Sequence, residues 1–117
     1  MAICRVALIG LGTMGPGIAA RLARGGLEVA AFDTSEQAIA RAEGEFLAAA
    51  GALDKLGIAA PVTGEGAIRF AASLAEVVEG ADLVIENVPE NADIKIATYK
   101  ALDQLIGPEV IVASDTS

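Results

Sequence analysis

The 117 residues suffice for one modest domain. A formal net charge of −8 argues against nucleic acid and anionic membrane surfaces as partners, because both repel an acidic chain. Cys4 is the only cysteine and histidine is absent, which excludes an internal disulfide, a cysteine–histidine metal cluster and an imidazole base supplied by this chain.

The first element is the apolar run Ile3–Ile9, expected as the central strand of a parallel sheet. Cys4, early in that run, is expected as an inert apolar filler. Gly10, Gly12 and Gly15 follow with G-x-G-x-x-G spacing, and Ile18, Ala19, Leu22 and Ala23 then carry helical spacing. Strand, glycine turn and helix together form the context of a dinucleotide-binding site. Gly10 permits the turn, Gly12 lets a pyrophosphate approach the backbone, and Gly15 lets the helix pack close to the strand. The amides of Gly12, Thr13 and Met14 would face the phosphates, aided by the positive end of the helix dipole. Pro16 falls in the first helical turn, where a missing N–H costs little.

The pair Gly25-Gly26 stops this helix, and Leu27–Phe32 is the second strand. Asp33 ends it, 18 residues beyond Gly15, where a carboxylate can accept from adenosine ribose hydroxyls and would repel a 2′-phosphate. NAD is therefore the expected cofactor; the alternative for Asp33 is a turn or a helix cap. Ser35 or Thr34 can cap a long helix from Glu36 to about Lys55, with Gly57 as its terminus. A loop over Ile58–Gly66 and a short strand, Ala67–Ala71, come next. Ser73 and Glu76 have capping-box spacing and start a short helix to Glu79, stopped by Gly80. Ala81–Glu86 is another buried strand, followed by the loop Asn87–Asn91. A helix over Ala92–Ile106 presents Ile94, Ala97, Ala101, Leu102 and Leu105 as its apolar face. Tyr99 and Met14 are expected to pack. Val110–Ala113 is the last strand.

Five strands interleaved with helices imply an α/β fold, a doubly wound parallel sheet of Rossmann type in three α/β/α layers with strand order 3-2-1-4-5. Right-handed crossovers then gather Gly10–Gly15, Asp33, the Glu86–Glu90 loop and Ser114–Ser117 at the carboxyl edge. Glu86 and Glu90 could be an acid–base pair, but nothing sets a scissile bond between them. Glu90 can accept from a cofactor hydroxyl or cap the next helix. Lys95 can pair with Asn91 or Glu90, reach the cofactor, or stay solvated. Ser117 can donate to a reacting oxygen, or be simply a polar strand end. Nucleophilic catalysis by these serines lacks a base and an elbow. No apolar run reaches transmembrane length, and the hydrophobic start flows into the glycine turn without a cleavage pattern, so the cytoplasm is the expected location.

The segments VALIGLGTMGPGIA (6–19), VAAFD (29–33), ADLVIENVPEN (81–91) with Lys95, and VIVASDTS (110–117) resemble the NAD-binding domain of the 3-hydroxyacyl-CoA dehydrogenases. The glycine motif is shared by many dehydrogenases; the ENVPEN…K and ASDTS segments are more specific. The resemblance implies that Gly10, Gly12 and Gly15 line the pyrophosphate and that Asp33 takes the adenosine ribose. It places Glu90 and Lys95 at the nicotinamide end, and Ser117 on the substrate's reacting oxygen as the catalytic contribution of this chain. Asp115 stands where the family has an asparagine, which sets a charge beside an incoming thioester.

The family's catalytic histidine, held by a glutamate, would come roughly two dozen residues beyond Ser117, followed by a helical substrate and dimerisation domain. Residues 1–117 therefore read as the dinucleotide-binding domain of a longer enzyme, expected to bind NAD but not to turn over alone. The implied activity is NAD-dependent oxidation of a 3-hydroxyacyl-CoA by a homodimer. The alternatives are a 3-hydroxyacid dehydrogenase of another family and a non-catalytic dinucleotide-binding module.

Overall fold

The computed structural model describes residues 3–114. Five strands and four helices alternate: β1 (Arg5–Ile9), α1 (Gly15–Arg24), β2 (Glu28–Phe32), α2 (Glu36–Lys55), β3 (Ile68–Phe70), α3 (Leu74–Val78), β4 (Leu83–Glu86), α4 (Ala92–Leu105) and β5 (Ile111–Ser114). The strands form one parallel sheet in the order β3-β2-β1-β4-β5, as expected for a doubly wound fold. The order reverses between β1 and β4, where Ile9 pairs with Glu86, and Glu86 pairs in turn with Ser114 of β5.

Alternation along the strands builds a core on each face of the sheet. Leu8, Val29 and Ala31 pack with Ala19 and Ala23 of α1 and Ala42 of α2. Ala7, Ile9, Ala30 and Val84 pack with Val77 and Val78 of α3 and Leu102 of α4. Alanine at the α1 contact positions lets that helix lie close to the sheet. Gly15 serves the same approach, since a Cβ there would stand 3.0 Å from the Gly10 carbonyl oxygen.

The helices start where their caps dictate. Ser35, Ser73 and Asn91 each accept a backbone N–H in the first turn of α2, α3 and α4. The long α2 runs through Gly44 and Gly51 and ends before Gly57 at φ +72°. The 58–66 loop is tied down by Arg24, whose buried guanidinium donates to the carbonyls of Ile58 and Ala50 and pairs with Asp54 (2.6 Å) and Glu65 (2.9 Å).

Several expectations need correction. Ile3 and Cys4 precede β1, and Cys4 is exposed, so it fills no core. Its amide donates to Asp82 at 2.8 Å, and that of Arg5 does so at 3.0 Å. These two amides hold the Asp82 carboxyl below its ordinary value. The apolar face assigned to α4 holds in part: Leu102 is buried as expected, whereas Ile94 and Leu105 are 42% and 43% exposed. Tyr99 packs on this core together with Ile106. β5 is exposed along its whole length, and Met14 is exposed rather than packed. No helix among the described residues is long and apolar enough to cross a membrane.

Candidate dinucleotide site

β1 delivers the chain into Gly10, whose φ of +102° only glycine adopts at low cost. Its role exceeds the turn. A Cβ there would collide with the carbonyl of Asn87, so the loop after β4 closes directly against the turn after β1. Asn87 reinforces this approach: its N–H donates to the Ile9 carbonyl at 2.7 Å, and its carboxamide donates to the Gly10 carbonyl at 3.4 Å. Gly12 is different. A Cβ there would meet no protein atom within 4 Å. The space above it is open, on the side where a ligand can approach the backbone.

This open space belongs to a cleft of about 250 Å³ lined by Gly12, Thr13, Asp33, Asn87, Val88, Pro89 and Glu90. It lies at the carboxyl edge, at the reversal of strand order, where open parallel sheets bind nucleotides. The start of α1 points into the same region. This helix has no side-chain cap and no acidic residue in its first turn. Its first N–H groups lack intrahelical acceptors and carry partial positive charge. An anion lodged there would supply what Ser35, Ser73 and Asn91 supply to the other three helices. The diphosphate of NAD fits this cradle.

Asp33 ends β2 with both carboxylate oxygens engaged. Oδ2 accepts the N–H of Leu11 at 2.8 Å, and Oδ1 accepts that of Ser35 at 2.8 Å. These bonds lock the carboxylate between the glycine turn and the start of α2. Each oxygen keeps a second lone pair for a hydroxyl donor. The turn and cap alternative for Asp33 is thus present in the geometry, and it fixes the orientation in which the group would meet a ribose. Arg41 of α2 donates to the Leu11 carbonyl at 3.0 Å and steadies the same turn.

Across the cleft, Glu90 is exposed and Lys95 lies between two carboxylates. Its Nζ is 3.6 Å from Glu90 and 3.8 Å from Glu86. Asn91 caps α4 with its side chain, so the capping role considered for Glu90 falls to Asn91; of the pairings considered for Lys95, the one with Glu90 is present. Glu86 is wholly buried. It accepts from Tyr99 Oη (3.1 Å), Ser114 Oγ (3.0 Å) and the Val88 amide (2.8 Å). Burial first, then the bond to Glu86 and its negative charge, raises the Tyr99 hydroxyl above the ordinary phenol value. Ser117, Thr116 and Asp115 lie outside the described residues.

Sequence reasoning brought Gly10, Gly12, Thr13, Asp33, Glu90 and Lys95 to one edge, and the structure places them there. The Glu86–Glu90 loop is at the expected edge, but sequence reasoning assigns Asn87 no role of its own, and Glu86, read as a rim carboxylate, is buried. A signal for Glu86 was present: in LVIE it occupies the parity of Val84, which strand alternation turns toward α4. A second cavity, about 200 Å³, opens at the opposite edge between Arg5, Glu28, Arg69 and Glu79. It is far from the glycine turn and mixes both signs of charge.

A sequence model described as 3-hydroxyacyl-CoA dehydrogenase, NAD binding domain, matches residues 5–117. The 5-formyl-3-hydroxy-2-methylpyridine 4-carboxylate 5-dehydrogenase of Mesorhizobium japonicum is 57% identical over 115 residues, covering 98% of this chain and 37% of that protein. A crystal structure of an enzyme of that name, described as an NAD⁺-dependent dismutase, superposes with a TM-score of 0.95 at 57% identity, over 99% of this chain and 38% of that one. A probable 3-hydroxybutyryl-CoA dehydrogenase from Deinococcus radiodurans is 38% identical over 112 residues, covering 94% of this chain and 40% of that protein. The chain spans well under half the length of these relatives.

Proposed function

Because the chain belongs to the 3-hydroxyacyl-CoA dehydrogenase family, as its NAD-binding domain, we propose that the protein it forms is an NAD-dependent oxidoreductase whose substrate is a small free acid rather than a CoA thioester. The observation that carries this is the 57% identity, over nearly the whole chain, to a dehydrogenase named for a pyridine carboxylate, against 38% for one named for an acyl-CoA. By family resemblance Asp115 stands where an asparagine is usual, and this departure from the acyl-CoA pattern falls on the substrate side of the motif. Of the readings open from sequence, the free acid thus has more support than the expected acyl-CoA.

In this reading the residues divide by task. The amides of Gly12, Thr13 and Met14 and the start of α1 hold the diphosphate. Asp33 accepts from the adenosine ribose and disfavours a 2′-phosphate. Glu90 and Lys95 orient the nicotinamide side. Ser117 is assigned to the reacting oxygen by family resemblance. NAD, when bound, supplies the hydride acceptor, and this domain supplies binding and orientation. An imidazole base would have to come from residues other than these 117, which contain no histidine.

The test is NADH turnover by the full-length protein with 5-formyl-3-hydroxy-2-methylpyridine 4-carboxylate and, separately, with 3-hydroxybutyryl-CoA. The free acid should give the higher kcat/KM, by at least about tenfold. The reverse order would overturn the substrate reading and restore the acyl-CoA one, which the family description and the Deinococcus relative favour. Asp115→Asn, which restores the family residue, should improve turnover of the thioester; an unchanged rate would mean that Asp115 does not touch the substrate.

A further inference from the structure

Glu86 is the one carboxylate wholly buried among the described residues, and the roles proposed above leave it without a task. Burying a carboxylate does not by itself stabilise a fold, even when it is paired. Its surroundings are specific. Strand alternation turns it to the α4 face of the sheet, and the register sets Ser114 directly beside it. Oε1 accepts from Tyr99 Oη at 3.1 Å and Ser114 Oγ at 3.0 Å, and lies 3.8 Å from Lys95 Nζ. Oε2 accepts the Val88 amide at 2.8 Å. One side chain therefore joins α4, β5 and the loop that walls the cleft.

We infer that Glu86 is a positioning residue for the nicotinamide half of the bound dinucleotide. In a doubly wound sheet a dinucleotide lies across the switch point, with one half over each side. Asp33, at the end of β2, marks the adenosine side. The other half therefore lies over the ends of β4 and β5, where Glu86 sits. Through the Val88 amide Glu86 sets the cleft wall, and through its charge it holds the Lys95 ammonium, which Glu90 shares at 3.6 Å. Through Ser114 it fixes the end of β5, three positions before Ser117. The inference rests on the cofactor reading above.

The experiment compares NADH with ADP-ribose, which lacks the nicotinamide, in the full-length protein. Glu86→Gln keeps the size and an acceptor oxygen but removes the charge facing Lys95. It should weaken NADH binding about tenfold and change ADP-ribose binding by less than about twofold. Equal loss for both ligands would reveal a merely structural role and overturn the inference, as would no loss for either. If the wild-type protein binds neither ligand, the cofactor reading itself falls and the inference falls with it. Should Glu86→Gln fail to fold, Tyr99→Phe removes one of the donors that orient Oε1. It should weaken NADH about threefold with ADP-ribose unchanged; unchanged affinity for both would overturn the inference.

Discussion

Gly10 and Gly12 stand two positions apart in one motif and answer to different constraints. Gly10 is demanded by the protein, through its positive φ and the Asn87 carbonyl against it. Gly10→Ala should cost roughly 3 kcal/mol or more in denaturant titration. Gly12 faces open space. Gly12→Val should leave stability within about 0.5 kcal/mol and yet weaken NAD about 100-fold in calorimetric titration. A stability loss at Gly12 with NAD affinity intact would contradict the cradle. Asp33→Ala should weaken NAD about tenfold and shrink its advantage over NADP, read from the two dissociation constants. Unchanged values would count against the ribose role.

At the scale of elements, the α1–α2 layer depends on a residue with no catalytic motif around it. Arg24 is buried at the end of α1 and gathers the Ile58 and Ala50 carbonyls with Asp54 and Glu65. Both acidic partners are more than half exposed, so water can take them back when the guanidinium is lost. Arg24→Met should therefore cost about 2 kcal/mol, below the range for a fully buried pair, with the loss seen as a lower thermal midpoint. The amino ends of β1 and β4 carry a pH signature. Asp82 accepts the amides of Cys4 and Arg5, and its folded pKa is lowered. Its contribution to stability is present above the ordinary aspartate value of about 3.9 and is lost as pH falls through the lower folded value. The Asp82→Asn protein should lack that part of the acid dependence when stability is measured from pH 6 to roughly pH 2.

Across the whole molecule, a net charge of −8 coexists with a site for an anion. The two are compatible because the phosphate donors are backbone amides at a helix start, whose field is local. Binding should stabilise the folded state as mass action requires. At about 100 times its dissociation constant, NAD should add roughly 2.7 kcal/mol and raise the melting temperature by about 10–20 °C if the midpoint responds as in other domains of this size. NADP should give a smaller shift; equal shifts would remove the specificity argued for Asp33.

The strand order, the glycine turn and the acidic end of β2 were legible in the chain. They follow from local rules: apolar runs of strand length, glycine where the backbone must bend, and a carboxylate at a fixed spacing. The rotation of α4 was only partly legible: Leu102 and Tyr99 pack as expected, but Ile94 and Leu105 match the same period and stay exposed. The side that is buried is the one from which Tyr99 donates to Glu86, 13 positions away. The closure of Asn87 on Gly10 likewise depends on neighbours distant in sequence. Periodicity states which residues can share a face; long-range packing selects which face is used and which polar group is buried with it.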